Sequence, residues 1–140
     1  MAVTSDPTRV HTFIYTGMDL TEVMTCVRKD PDLDAGAIAG AETSYRNFLW
    51  VCWYHWNGGA GSSLAAIDAV ADVVWHCHML RPVEYREDCA QIFGDRRLLD
   101  HQPGGDPGPQ ARQQARSAYE AAGLPAPTNL RAECVWSVVA

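Results

Sequence analysis

Apolar residues recur at helical spacing in five stretches of the 140-residue chain, and residues that end helices separate these stretches. An Asp-Pro pair follows the first stretch, glycines follow the second and fourth, and a proline opens the fourth. The predicted helices run over about 19–30, 34–57, 63–80, 82–93 and 109–122. The pattern therefore predicts an all-α fold, a single compact bundle of about five helices.

We expect the predicted helices to form one domain that spans 1–140, and their positions divide this domain into three parts. We expect an N-terminal arm at 1–18, a core at 19–103, and a last part at 104–140 that holds a loop, the tail helix and an apolar C-terminal segment. Residues 13–15 have no helical period and favour a docked arm or a short strand. The site residues should therefore come from the core.

The third helix has one broad apolar face and one narrow polar stripe. On a wheel of about 100° per residue, its apolar arc is centred on Ile67, Ala71, Val74 and His78. Ser62 or Ser63 is expected to cap the helix. The polar stripe consists of Asp68, Asp72 and His76, whose i, i+4, i+8 spacing lets consecutive members touch.

Asp72 and His76 form the first candidate site. A carboxylate one turn before an imidazole can fix the tautomer of the ring and raise its basicity, which suits a general base or a metal ligand. The pair could instead be a solvated stripe, or a hydrogen-bonded pair that orders nearby loops. His78 lies about 200° from His76 around the helix, so the two cannot bind one metal ion unless the helix unwinds near Cys77. We expect His78 to be a core histidine bonded to a carbonyl.

Tryptophans suggest where a ligand would bind. Trp53 and Trp56 follow the apolar stripe of the second helix, and Trp75 flanks that of the third. Such positions are typical of core packing. The alternative is that these indoles, together with His78, line a pocket for an apolar small molecule.

Charge and composition exclude several partners. The net charge is −6 and no run of Lys or Arg stands out, so we expect no nucleic-acid partner. The N-terminus lacks the basic and apolar regions of a signal peptide, and no apolar run has the length of a membrane span. We therefore expect a cytoplasmic protein without a membrane partner.

The cysteines form an odd set of five without CxxC spacing: Cys26, Cys52, Cys77, Cys89 and Cys134. This count argues against a disulfide framework and against a zinc knuckle. We expect most of them to be reduced thiols that serve as small core residues.

One motif resembles a known family. From Asp72 to Cys89 the chain reads D-x-x-W-H-C-H-M-L-x-P-x-x-Y-x-x-D-C, followed by Phe93-Gly94 and by Leu99-Asp100-His101. This pattern is similar to that of the glycine-rich domain-containing protein-like family, and 45–49 resembles its earlier helix. Longer members carry a glycine-rich region, and some carry an RNA-recognition domain; neither is present here, so an association with RNA is not carried over. The resemblance implies that His76, Tyr85, Cys89 and His101 converge, with Asp72 behind them.

Three hypotheses for function follow. In the first, an enzyme acts on an apolar small organic molecule by acid-base chemistry, with His76 as base or acid, Asp72 as its orienting carboxylate and Tyr85 as proton donor or oxyanion partner. A variant uses Cys89 as a nucleophile that His76 or His101 activates. Such a site would lie between the third helix, the fourth helix and a return loop that carries His101.

The second hypothesis is a metal site built from His76, Cys89 and His101, with Asp72, His78 or water completing it. Imidazole and thiolate ligands would suit zinc or another late transition metal. The third hypothesis is a non-catalytic binding module, in which the His, Tyr, Cys and Trp side chains form a network that holds the helices together.

Overall fold

The computed structural model describes residues 6–61, 63–64, 66–103, 108–131 and 134–140. Its helices are α1 (Pro7–Thr12), α2 (Thr21–Val27), α3 (Ala35–Asn57), α4 (Ala69–Met79), α5 (Pro82–Phe93) and α6 (Pro109–Ala121), and a π-helical turn at Phe13–Gly17 continues α1. Its strands are β1 (Ser63–Leu64), β2 (Ile67–Asp68), β3 (Leu98–Pro103), β4 (Leu130–Arg131) and β5 (Cys134–Val139).

The fold is mainly helical, but the prediction of a purely all-α bundle is wrong, because the strands form two small antiparallel sheets. In the first sheet β5 lies between β1 and β3; in the second β2 pairs with β4. The apolar C-terminal segment, for which no strand was predicted, is the central strand of the larger sheet. The period of a six-residue apolar run does not separate a strand from a buried helical turn, which is why this element was missed.

Several helix boundaries follow local chemistry that the sequence displays. Asp34 caps α3 by accepting a hydrogen bond from the amide of Ala37 at 2.7 Å. Pro82 occupies the first turn of α5. Gly94 ends α5 with φ of 103°, and a Cβ there would approach Nη1 of Arg97 to 2.9 Å. The helices predicted near 34–57 and 82–93 are confirmed.

Two boundary predictions are wrong. The third predicted helix does not begin near 63: Ser63 lies in β1, Ser62 lies outside the described residues, and α4 begins at Ala69 with Asp68 as its N-cap. For residues 13–15 the strand alternative is wrong, because they lie in the π-helical turn; the docked-arm alternative agrees with the structure, in which Ile14 is buried and Phe13 and Tyr15 pack against the core. Residues 104–107, at the start of the last part of the chain, where a loop was expected, also lie outside the described residues.

The core surrounds α4, which packs against α2, α3 and α5. The buried apolar side chains form one cluster that extends from Val10 to Trp136. On α4, the side chains of Val74 and Trp75 are fully buried, whereas His76 is exposed. This helix therefore has one margin, the edge that carries Asp72 and His76, open to solvent, and it buries most of its other side chains.

Among the described helices, none combines the length and the apolar character that crossing a membrane requires.

Candidate functional site

Three potential ligand atoms meet at the exposed margin of α4. Nε2 of His101 lies 2.8 Å from Oδ1 of Asp72 and 2.9 Å from Nε2 of His76. The third side of the triangle, between Nε2 of His76 and Oδ1 of Asp72, is 3.5 Å. The side chain of His101 is 13% exposed, that of Asp72 26% and that of His76 54%. The triangle thus faces the protein on one side and solvent on the other.

Two secondary-structure elements supply these atoms. Asp72 and His76 lie one helical turn apart on α4, as the sequence predicts. His101 was expected on a return loop, but it lies in β3, opposite Trp136 of β5. The ring of Trp75 packs against that of His101 with centroids 4.5 Å apart. The site is therefore assembled from a helix and a strand.

A single linear hydrogen bond accounts for only one of the two short contacts of Nε2 of His101. A neutral imidazole nitrogen either donates one proton or accepts one in the plane of the ring. If Nε2 of His101 donates to Asp72, it has no lone pair left for Nε2 of His76, 2.9 Å away. A triangle with these sides leaves room for one ion about 2.1 Å from each atom, the usual distance for nitrogen and carboxylate ligands of zinc. Asp72, His76 and His101 could therefore hold a divalent ion.

His78 belongs to a different network on the opposite face of α4. It is buried, its Nδ1 lies 2.7 Å from the hydroxyl of Tyr45, and its Nε2 lies 2.8 Å from Oδ2 of Asp88. Because a carboxylate only accepts, Nε2 carries the proton and Nδ1 accepts from Tyr45. Burial raises the pKa of Tyr45 well above its usual range, which keeps this hydroxyl a donor.

The structure thus keeps the two histidines of the motif apart. His78 is a core histidine as predicted, but its partners are two side chains rather than a backbone carbonyl. With Asp88 it lines a cavity of about 340 Å³ whose wall also carries Asp19, Glu22, Arg81, Glu84 and Glu87. Both nitrogens of His78 are engaged, so neither is free to attack or to coordinate a ligand in this cavity.

Tyr85 and Cys89 are buried, so neither lies at the solvent-exposed side of the ligand triangle. Nε1 of Trp75 donates to the hydroxyl of Tyr85 at 2.8 Å, and this hydroxyl donates to the carbonyl of Leu99. Burial raises the pKa of Tyr85 well above its usual range and that of Cys89 to about 11. Cys89 is not among the side chains that converge with His76 and His101; in the described part of the chain, Asp72 takes the third position.

The tryptophans predicted to line a pocket pack within the protein core or at its edge. Trp53 is buried and stacks on Trp50 with centroids 5.1 Å apart. Trp56 is half-buried, meets Phe93 edge to face and lies beneath the guanidinium of Arg97. Trp75 is buried as well, so its contribution to the site is the ring contact with His101.

Two of the five cysteines are joined, which departs from the expected reduced set. Cys26 of α2 and Cys77 of α4 form a disulfide across 51 positions of sequence. Cys52 and Cys89 are buried and lie outside any disulfide, as predicted. Spacing could not reveal the bond because it depends on how α2 packs beside α4. The side chain of Cys134 lies outside the described set.

Sequence reasoning missed two polar residues, Tyr45 and Asp88, which complete the network around His78. Both lie within the stretches that resemble the glycine-rich domain-containing family, so the motif contained a signal for them. Their roles were hidden because one comes from α3 and the other from α5, and only the packing of these helices against α4 brings them to His78.

Comparison with known proteins gives short matches. No family model matches the chain, and no solved structure matches it. The chain is 57% identical over 28 residues to Glycine-rich domain-containing protein 2 of Arabidopsis thaliana, and 44% identical over 41 residues to Glycine-rich domain-containing protein 1 of the same plant. These segments cover 20% and 29% of this chain, but only 3% and 4% of the two relatives. The likeness to glycine-rich domain-containing proteins is therefore local.

Proposed function

We propose that this chain is a small metal-dependent enzyme that acts on an apolar small organic molecule by acid-base chemistry. Asp72, His76 and His101 hold a divalent ion, zinc or another late first-row metal. The observation that carries the proposal is the triangle of three ligand atoms 2.8–3.5 Å apart. Two imidazoles and one carboxylate are a ligand set that zinc and iron(II) both accept.

The open side of the triangle supports catalysis rather than a structural metal site. Structural zinc sites are closed by four protein ligands, whereas catalytic sites use three and leave a position for water or substrate. His76 is 54% exposed, so that position faces solvent. An ion held there lowers the pKa of bound water towards about 7 and polarises a substrate oxygen.

Apolar surface lies beside the same margin of α4. Leu80 follows His76 by one helical turn and is 76% exposed. A large apolar side chain with such exposure offers one contact for the hydrocarbon part of a substrate. This supports an apolar organic molecule as the substrate class.

Zinc binding is the first test. Tag-free protein should bind one equivalent of Zn²⁺ in calorimetric titration, and His76→Ala should weaken binding by more than about 100-fold, because losing even an outer partner of a ligand costs 10–100-fold. His11→Ala, which removes another exposed histidine, is the matched control and should bind as the wild type does. A wild-type protein that binds no zinc, iron(II) or manganese(II) in the micromolar range would refute the proposal.

Catalysis is tested on the loaded protein. Zinc-loaded wild type should hydrolyse an activated aromatic ester such as 4-nitrophenyl acetate faster than the His76→Ala variant at equal total zinc. Equal rates in the two proteins, with zinc bound only by the wild type, would contradict an enzymatic role and leave a metal-binding domain.

A second candidate is a non-catalytic binding module. The network of Tyr45, His78 and Asp88 supports it, since its groups are mutually satisfied and tie α3, α4 and α5 together. Under this alternative the chain would keep its fold and its partner after removal of all metal by a chelator. The zinc titration and the comparison of hydrolysis rates together therefore separate the two candidates.

A further inference from the structure

We propose that Tyr85 and Trp75 are positioning residues that hold His101 in the ligand triangle. This inference rests on the proposed metal site and adds to it a second set of side chains. Asp72 and His76 lie on one helix, so the helix itself fixes their relative position. His101 comes from β3, and its place beside them depends on what holds that strand against α4.

β3 is an edge strand, paired only with β5 among the described strands. On its other side, the hydroxyl of Tyr85 donates to the carbonyl of Leu99, two residues before His101. Leu99 is fully buried, so this carbonyl has no access to bulk solvent. Losing its donor would leave an unpaired polar group inside the protein, which costs about 1–3 kcal/mol. This hydrogen bond therefore fixes the position of β3 relative to α5.

Trp75 of α4 contacts both Tyr85 and His101. Its indole nitrogen donates to the oxygen of Tyr85 at 2.8 Å, and its ring lies against the ring of His101 at 4.5 Å between centroids. One side chain of α4 thus contacts both the hydroxyl that holds β3 and the imidazole that β3 carries. Shifting Tyr85 or Trp75 would move Nε2 of His101 away from Asp72 and His76.

Neither residue acts as an acid or a nucleophile in this arrangement. The hydroxyl of Tyr85 accepts from Trp75 and donates to Leu99, which uses its proton. The sequence predicted Tyr85 as a proton donor or an oxyanion partner; we assign it a positioning role. Removing a group that hydrogen-bonds a metal-bound histidine directly alters metal affinity by about 10–100-fold, and we expect a loss of the same order for residues that hold His101 through the β3 backbone and a ring contact.

The test compares Tyr85→Phe with Tyr119→Phe. Tyr119 is equally buried, but its hydroxyl has no hydrogen-bond partner among the described residues, so its loss should not affect the site. We expect Tyr85→Phe to raise the dissociation constant for Zn²⁺ by about 10–100-fold, and to change the visible spectrum of the Co²⁺-loaded protein. Tyr119→Phe should leave both unchanged. All titrations are made well below the melting temperature of each variant.

The outcomes separate the two proposals. If the wild type binds no metal, the proposed function fails, and this inference fails with it. If the wild type binds zinc and folded Tyr85→Phe binds it equally well with an unchanged cobalt spectrum, only the positioning role is overturned. Should Tyr85→Phe not fold, Trp75→Phe keeps a ring against His101 while removing the indole donor, and it should weaken zinc binding by a smaller factor; equal affinity there would overturn the inference.

Discussion

Asp68 allows the start of the site helix to be tested separately from the metal. Its side chain caps α4 by accepting a hydrogen bond from the amide of Val70 at 3.1 Å, and the residue is only 5% exposed. Burial raises the pKa of this carboxyl above its usual value, against the opposing effect of its hydrogen bonds to Val70, Asn129, Ala71 and Ser44. Asp68 thus caps α4, but its buried position disfavours the ionised form of its carboxyl group.

Asp68→Ala should lower the free energy of unfolding by about 2–3 kcal/mol. Loss of an N-cap costs about 1 kcal/mol, and the buried donors left without an acceptor cost about 1–2 kcal/mol more. Asp68→Asn keeps a neutral oxygen for the cap and removes the buried charge. We expect Asp68→Asn to be at least as stable as the wild type at pH 7, measured by urea unfolding followed by circular dichroism.

The pH dependence of stability tests the raised pKa of Asp68. A carboxyl whose folded pKa is raised contributes its full stability below its ordinary pKa, and this contribution is lost as pH rises through the folded value. Relative to Asp68→Asn, the wild type should therefore gain stability as pH falls from 7 towards 4. If Asp68→Asn is as unstable as Asp68→Ala at pH 7, the ionised carboxylate is required and the reasoning is refuted.

Two further predictions concern the cysteines. Without reductant, Cys26→Ser should lower the free energy of unfolding by up to about 4 kcal/mol, the chain-entropy value for a loop of about 50 residues. In strong reductant the variant should be as stable as the wild type. Rapid alkylation of both Cys26 and Cys77 in native, unreduced protein would contradict the disulfide. Cys89, whose pKa burial raises to about 11, should react slowly with iodoacetamide at pH 8 and quickly in urea, as followed by mass spectrometry. Fast labelling of native Cys89 would show that its thiol is accessible and ionised.

Helical periodicity correctly predicted much of the fold because it is local information. Asp34, Pro82 and Gly94 mark helix ends through their own backbone and side-chain chemistry, so their effects do not depend on distant packing. The strands were not predicted. β1, β2 and β4 contain two residues each, too few for any period, and β5 is defined by its pairing with β1 and β3.

The site was predicted in part for the same reason. Helical geometry placed Asp72 beside His76 and turned His78 away, and both features are present. The pairing of His101 with Asp72 crosses 29 positions and depends on the register of β3. Cys89 was a plausible ligand by residue type, but its depth below Tyr85 is a property of packing that spacing does not report.

Because β3 pairs with β5, the site can be completed only after residues 134–139 have been synthesised. The first two ligand atoms stand on α4 and are in place once that helix packs, whereas β3 gains its only described strand partner from 134–139. Because a chain is synthesised from its N-terminus, α4, which ends at Met79, would wait for about sixty further residues, to Val139, before the third proposed ligand is secured. A metal ion present earlier would meet only two of its three ligands, so tight binding would report that the last strand has joined the sheet.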